Sequence, residues 1–132
     1  MTIVVGYTPT PLGEAAAATA IAEAARRQAE LVVVNSSHGD AAVDPKFAGP
    51  ATLATLRAAI EAAGVTHHLT QSLSGLDPAE SILRTAREYD ADLIVIGVRH
   101  RTPVGKLLLG STAQRVILDA ECPVLAVKQA QG

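Results

Sequence analysis

The sequence predicts an α/β protein: a doubly wound, three-layer domain built on a five-stranded parallel sheet. Short apolar runs rich in branched side chains alternate with longer helical segments along the chain. The runs are apolar without interruption, which is typical of strands buried on both faces of a parallel sheet. With 132 residues, 48% of them hydrophobic, the chain is long enough to bury a core, and we expect a single domain over residues 1–132.

The first strand is predicted at residues 3–7, a β-rich run. Two prolines and a glycine in residues 8–13 interrupt it. Residues 14–29 are alanine-rich with helical spacing of the apolar side chains, so we expect the first helix there. Residues 31–34 then form a second strand that is buried on both faces.

The middle of the chain is predicted to hold a long loop, a helix and an edge strand. Residues 35–50 are polar and contain two glycines and two prolines, which indicates a loop. Residues 51–63 have apolar side chains along one helical face, and Gly64 is typical of a helix end. Residues 65–72 are a weaker and more polar strand, which favours a position at the edge of the sheet.

The third helix has a clear start signal. Asp77 is a capping residue, Pro78 suits the first turn, and Glu80 stands where a capping box needs an acid. We therefore expect a helix from this start to about residue 89.

Strand, helix and strand complete the predicted domain. We expect a fourth strand at residues 92–97, a fourth helix at residues 111–120 and a fifth strand at residues 123–127. Ser111 and Gln114 have the spacing of a second capping box. Right-handed crossovers between parallel strands then place helices on both faces of the sheet.

Charge and composition exclude several classes of function. The formal net charge is −2 and only three residues are aromatic, so we expect neither nucleic-acid binding nor membrane-surface binding. No apolar run approaches the ~20 residues that span a bilayer, and the N-terminus has no basic lead of a signal peptide. A lone Cys122 excludes an intrachain disulfide and is expected to be a buried structural thiol. These features favour a cytoplasmic protein.

The most informative segment lies between the fourth strand and the fourth helix. Apolar residues 93–96 run into Gly97, a basic loop follows, and Gly110 precedes the helix. The basic side chains of that loop are Arg99, His100, Arg101 and Lys106. A strand, a positive loop and a helix N-terminus in this order form a phosphate site, because free backbone N–H groups and the helix dipole favour anions. Doubly wound sheets bind ligands at the carboxyl ends of their strands, which is where this loop begins.

Two familiar phosphate motifs do not fit this loop. Gly105 and Gly110 have the spacing of a Walker loop, but Ser111 stands where its lysine belongs. The Gly-x-Gly-x-x-Gly fingerprint is absent. No pair of carboxylates and no Gly-x-Ser-x-Gly segment supplies a base or nucleophile near the loop, so we do not expect an enzyme.

The loop resembles the nucleotide-binding motif of the universal stress protein family, Gly-x2-Gly-x9-Gly-(Ser/Thr). Gly97 matches its first glycine, Gly110 its last and Ser111 its hydroxyl residue, and residues 107–111 and 121–127 are similar to family segments. The resemblance implies a Rossmann-like, adenine nucleotide α-hydrolase-like sheet of order 3-2-1-4-5. It also implies a bound nucleotide, ATP above others, with Mg²⁺ held mainly by phosphates and water.

The resemblance implies two groups of site residues. The phosphates would be held by Gly97, Arg99, His100, Arg101, Gly110, Ser111 and Thr112. The adenosine side would be lined by residues 6–9, including Thr8 and Pro9, and by residues 33–36, including Val34. Any hydrolysis of ATP would be slow, since no catalytic base is visible.

The chain departs from the family pattern at two positions. His100 replaces the second glycine of the motif, where a side chain crowds phosphates or contacts them. Thr8 replaces an aspartate that helps to hold adenosine, and a hydroxyl binds more weakly than a carboxylate. Three neighbouring cations would offset a weakened contact, at about 1 kcal/mol for each exposed charge.

Each of these features also has a structural explanation. The cations are otherwise solvated loop charges, Gly97 a glycine that ends a strand, and Ser111 a helix cap. The alternative function is therefore a nucleotide-free homodimer that acts through protein partners. The resemblance implies that its interface is the last strand, residues 123–128, through Val124, Leu125, Ala126 and Val127, an apolar edge that also needs cover. A flavodoxin-like enzyme is the least favoured reading.

The histidines give weak metal signals. His67 and His68 are adjacent on a predicted strand, so their side chains point to opposite faces and do not share a metal. His38 lies near Asp40 and Asp44 in the polar loop, a pattern too common to indicate a metal site.

Overall fold

In a computed structural model of the chain, the structure describes residues 1–36, 49–72, 77–98 and 110–128. Strands and helices alternate along these described residues: β1 Thr2–Tyr7, α1 Pro11–Arg27, β2 Glu30–Ser36, α2 Pro50–Ala62, β3 His67–Ser72, α3 Pro78–Glu88, β4 Leu93–Val98, α4 Ser111–Asp119 and β5 Val124–Lys128. None of these helices is long and apolar enough to cross a membrane.

The strands form one parallel sheet in the order β3-β2-β1-β4-β5, which confirms the predicted fold and strand order. The ladder between β1 and β2 continues to the end of β1, where Tyr7 pairs with Asn35. The ladder between β1 and β4 ends earlier, at Val5 and Val95. The sheet therefore opens between these two strands at their carboxyl ends. This is the switch point, because the chain leaves β1 towards β2 on one side and β4 lies on the other.

Two apolar clusters cover the two faces of the sheet. Successive strand residues point to opposite faces, so Ile3 and Val5 pack under α1 and α2 while Val4 packs under α3 and α4. Alanines of α1 lie flat on the strands and let this helix come close to the sheet. The predicted three layers are thus present, with helices packed on both faces of the sheet.

The predicted start of α1 was wrong. The helix begins at Pro11 rather than at residue 14, because the Thr10 side chain caps it by accepting a hydrogen bond from the Gly13 amide at 3.1 Å. Proline is favoured in a first helical turn, so only the front of residues 8–13 interrupts the chain. The helix ends at Arg27, since Gln28 takes a left-handed conformation with φ of 56°.

Two predicted boundaries around β2 and β3 were also wrong. The strand β2 continues through Asn35 to Ser36, although residues 35–50 were expected to be loop. Asn35 is fully buried and its side-chain amide donates to the Tyr7 carbonyl at 2.9 Å, which makes a polar residue compatible with the strand. The strand β3 begins at His67, and Val65 instead packs into the core before it.

Neither predicted capping box is present. Asp77 precedes α3 but its side chain accepts no hydrogen bond from the helix. Its carboxylate and that of Glu80 instead bind Arg115 of α4. Ser111 is the first helical residue of α4, and Gly110 occupies the cap position. Both errors arise because a side chain that finds a partner in another helix, or lies one residue too late, no longer caps.

Candidate functional site

The carboxyl edge of the sheet brings together the ends of β1 and β4 and the starts of α1 and α4. Thr8 and Pro9 are half-buried in the turn between β1 and α1, and Gly97 lies near the end of β4. Gly110 is half-buried where α4 begins, followed by exposed Ser111 and half-buried Thr112. Arg99, His100, Arg101 and Lys106, all predicted to contact phosphate or to lie near it, are outside the described residues.

Val34 is brought to the same edge, but its side chain faces away from any ligand there. It is 2% exposed and packs in the apolar cluster under α3. Its backbone lies inside the sheet, in register with Gly6 of β1 and Thr70 of β3. That Val34 lines the adenosine side stays a prediction.

The turn between β1 and α1 is held by its own hydrogen bonds. The hydroxyls of Thr8 and Thr10 are 2.9 Å apart, and the Thr10 amide donates to the Thr8 carbonyl at 2.8 Å. The Thr10 oxygen also accepts from the Gly13 amide, and either hydroxyl can be the donor in its bond with Thr8. These bonds tie Thr8 to the first turn of α1.

A second set of contacts, missed by the sequence analysis, fixes the end of β1. The Tyr7 hydroxyl donates to the Glu14 carboxylate in the first turn of α1. Burial, and then the hydrogen bond and charge of Glu14, raise the pKa of Tyr7 above its usual range. Tyr7 is therefore a neutral donor at physiological pH. A polar Asn35 after four apolar residues was the signal in the sequence that this strand end carries a specific contact.

Two glycines allow the start of α1 to lie close to the strands. A Cβ atom at Gly13 would collide with the Thr8 carbonyl and lie 2.6 Å from the Thr8 hydroxyl. A Cβ atom at Gly97 would lie 2.6 Å from Cγ of Leu12. Both distances are shorter than side chains tolerate, so the first turn of α1 occupies the space beside β4.

The N-terminus of α4 is open by comparison. Gly110 has no side chain, and within the described residues no side chain caps this helix. The Gly110 carbonyl accepts from the Gln114 amide at 3.0 Å, while the amides of Ser111, Thr112 and Ala113 precede the first internal hydrogen bond. The first turn holds no acidic residue. Free amides at the positive end of a helix dipole bind anions such as phosphate.

An ion-pair cluster anchors the same helix to α3. Arg115 lies one turn after Ser111 and reaches Asp77 at 3.1 Å and the Glu80 carboxylate across the helix pair. It also lies 3.6 Å from Asp119 of its own helix. These side chains are 30–57% exposed, so the cluster is screened by solvent. It fixes the orientation of α4 without closing its N-terminus.

The opposite end of the sheet contains a cavity of about 270 Å³ between the ends of α3 and α4. Leu83, Ala86 and Ile94 form its apolar side and Cys122 lies at its wall. The predicted burial of Cys122 is only partly correct, since the residue is half-buried. Burial, and then the charge of Asp92, raise the pKa of this thiol, so it stays protonated and unreactive at neutral pH.

The described histidines lie at the β3 edge of the sheet, as expected. His68 is bonded to Glu30 at 2.9 Å, and its ring lies 5.7 Å from that of Tyr89. Among the residues that the structure describes, no three His, Cys, Asp or Glu side chains form a group able to hold a metal ion.

The β5 edge of the sheet is more apolar than the β3 edge. Val124, Leu125 and Val127 are half-buried and pack against the core clusters, while Ala126 is exposed. Leu118 on the neighbouring α4 is 76% exposed. The outer edge of β5, which is the last strand of the sheet, is therefore largely apolar.

Comparison with known proteins gives a consistent result. A model of the universal stress protein family matches residues 1–128. A curated universal stress protein from Mycolicibacterium smegmatis is 48% identical over 126 residues, which cover 96% of each chain.

Two solved structures from Archaeoglobus fulgidus share the fold. A universal stress protein superposes with a TM-score of 0.80 at 33% identity, covering 97% of this chain and 98% of that chain. Another, described as the universal stress protein in complex with dAMP, has a TM-score of 0.72 at 28% identity with the same coverage.

Proposed function

Because the chain belongs to the universal stress protein family, we propose that it is a nucleotide-binding regulatory module of the stress response. The ligand is an adenine nucleotide, ATP above others, bound at the carboxyl ends of β1 and β4. The observation that carries this proposal is the uncapped N-terminus of α4, which lies beside the opening between these strands. The relative crystallised with dAMP supports the adenine class.

The described residues divide the ligand between two sides of the crevice. The amides of Ser111, Thr112 and Ala113 meet the phosphates, with Gly110 allowing close approach. Thr8 and Pro9 meet the adenosine side, and Val34 supports it from within the sheet. We propose that Arg99, His100 and Arg101 contact the phosphates through their side chains. Gly97 would contact them through its backbone.

Thr8 gives the adenosine side a different chemistry from a carboxylate. A carboxylate only accepts hydrogen bonds, whereas the Thr8 hydroxyl can donate as well as accept and already shares one hydrogen bond with Thr10. The adenosine end is then bound more weakly than in relatives with an aspartate, and the phosphate contacts carry a larger share of the affinity.

The function is binding rather than catalysis. Along the described residues, the carboxylate in the first turn of α1 is already engaged, since Glu14 accepts from Tyr7. The first turn of α4 holds no acidic residue to activate a water beside the phosphates, so we expect hydrolysis of ATP to be at most slow. Mg²⁺ would be held mainly by phosphate oxygens and water. The cytoplasmic location stays a prediction.

The proposal is tested by calorimetry of the purified protein with ATP, AMP and cyclic AMP, with and without Mg²⁺. We expect micromolar binding of ATP and its loss in Gly110→Val. The backbone of Gly110, at φ −63° and ψ 157°, is compatible with any residue, so the substitution adds a side chain at the helix end without backbone strain. Gly49→Val is the matched control, because Gly49 also precedes an uncapped helix and has free space around it.

The outcomes separate site from fold. Equal ATP affinities of Gly110→Val and the wild type would remove α4 from the site. No binding by the wild type at millimolar ATP would overturn the nucleotide proposal.

The alternative function, a homodimer that acts through protein partners, is favoured by the apolar β5 edge. We propose that two copies pair through β5, which covers an edge strand that otherwise invites aggregation. Ala126→Glu places a charge on this edge without entering the core, because Ala126 is exposed. We expect monomers in light scattering for this variant and dimers for Gln71→Glu on the opposite edge. A dimeric Ala126→Glu protein would move the interface elsewhere.

A further inference from the structure

The opening between β1 and β4 is bordered by the start of α1. Pairing between the two strands stops at Val5 and Val95, although β1 continues to Tyr7 and β4 to Val98. On the face covered by α1, the next β4 residue after Val95 is Gly97. The side chain that lies there comes from α1 and not from the strand.

That side chain is Leu12, the second residue of α1. Its Cγ and Cδ1 atoms lie 2.6 and 3.0 Å from the position that a Cβ atom would take at Gly97, and its carbonyl oxygen lies 3.1 Å from it. Real Cβ atoms do not approach carbon at 2.6 Å. A side chain at residue 97 would therefore push Leu12, and the helix turn that carries it, away from β4.

The contacts beside Leu12 reach the ligand side of the turn. The next residue, Gly13, packs directly on Thr8, with the Thr8 hydroxyl 2.6 Å from its Cβ position. The Gly13 amide also donates to Thr10, which is bonded to Thr8. These contacts tie Thr8 to Gly13, and Leu12 links this segment to β4.

We propose that Leu12 is a positioning residue that sets the separation between the β1–α1 turn and β4, and with it the affinity of the crevice for a nucleotide. Leu12 packs directly against Gly97. Residue 97 must therefore lack a side chain for this packing, whether or not a phosphate contacts its backbone. This inference rests on the proposed nucleotide function. It gives the first glycine of the motif a role that depends on a residue outside the motif.

The test is a double-mutant cycle of wild type, Gly97→Ala, Leu12→Ala and the double variant. ATP affinity is measured by calorimetry and stability by urea unfolding. In the wild-type background we expect Gly97→Ala to weaken ATP binding by about tenfold or more. In the Leu12→Ala background the Cγ and Cδ1 atoms are gone and only the carbonyl oxygen of residue 12 stays close to the new methyl group, so the same change should alter affinity by less than about twofold.

Two further measurements keep the outcome decisive. Ile21→Ala, a similar truncation of a half-buried residue farther along α1, should lower stability and leave ATP affinity unchanged. If Gly97→Ala does not fold, Leu12→Ala alone must still bind ATP more weakly than Ile21→Ala at matched stability. Equal effects of Gly97→Ala in both backgrounds, or wild-type affinity in Leu12→Ala, would overturn the positioning role.

The cycle also separates this inference from the function on which it rests. Without any ATP binding by the wild type, the nucleotide proposal and the affinity role of Leu12 both fall. Coupling between the two substitutions in the urea midpoints would then still report the packing contact alone. With ATP binding intact and no coupling, only the inference about Leu12 is wrong.

Discussion

The helices α1 and α4 start at the same edge of the sheet but their first turns are finished differently. At α1, the Thr10 side chain accepts from the Gly13 amide, and Glu14 places a carboxylate in the first turn. At α4, Gly110 supplies no cap and the first turn has no acid. A capped, acidic helix start repels anions, whereas an uncapped neutral one attracts them. In the proposed function, α1 therefore serves as a support and the start of α4 binds the ligand.

The largest effect is expected when the start of α4 is given an acidic cap, so that it resembles the start of α1. In Gly110→Asp a carboxylate can cap the first turn and repels phosphate, so ATP affinity should fall about a hundredfold. Stability should change by no more than a few tenths of a kcal/mol, because glycine and aspartate differ little as caps. Calorimetry and thermal unfolding measure the two quantities. Gly49→Asp at the start of α2 is the control, and equal losses of affinity in both variants would show that the effect is not local.

The converse change removes the cap of α1. Thr10→Ala should cost about 1 kcal/mol of unfolding free energy, since a Gly13 amide loses its acceptor and Thr8 loses its partner. Urea unfolding measures this cost. Thr10→Ser keeps the hydroxyl and should restore most of it. A Thr10→Ala protein as stable as the wild type would mean that the cap contributes nothing to α1.

The contact between Tyr7 and Glu14 sharpens the comparison through pH. Burial and Glu14 raise the pKa of Tyr7 in the folded state, so above pH ~10 the unfolded chain releases a proton that the folded chain keeps. Stability from this group is complete below pH ~10 and is lost as the pH rises further. Tyr7→Phe should lose about 0.5–1 kcal/mol at neutral pH and flatten the alkaline limb of the stability profile. An unchanged alkaline limb relative to Tyr89→Phe would contradict this account.

The smallest effect is expected at Arg115, which holds α4 without touching its open end. Its three carboxylate partners are partly exposed to solvent. Arg115→Gln should therefore lower the melting temperature by no more than about 3 °C. Added salt should reduce even that difference. ATP affinity should stay at the wild-type value. A large loss of affinity would mean that Arg115 itself reaches the ligand.

The fold was predictable because its signals are local and repeated. The apolar runs of β1, β2 and β4 are typical of strands in a parallel sheet that is covered on both faces. Helix starts were less predictable, since Thr10-Pro11 reads equally as a turn or as a cap followed by a first helical residue. In the structure the second applies, because Thr10 accepts from the Gly13 amide and Pro11 is the first helical residue.

The candidate site was predictable in its motif and not in its contacts. Gly110 and Ser111 were identified from their spacing to Gly97, which is a property of the sequence alone. The contacts of Tyr7 with Glu14 and of Asn35 with the Tyr7 carbonyl join residues that meet only after the strands have paired. The capping boxes failed for the same reason, because Asp77 has a better partner in another helix.

The most direct test is an ATP titration followed by the backbone amide signals of the protein in solution. The amides of Ser111, Thr112 and Ala113 should show the largest changes in chemical shift, because their own helix offers them no acceptor and phosphate would supply one. The Gly13 amide, already bonded to Thr10, should change far less. Changes centred on the start of α1, or none anywhere at millimolar ATP, would contradict the assignment of α4 as the phosphate site.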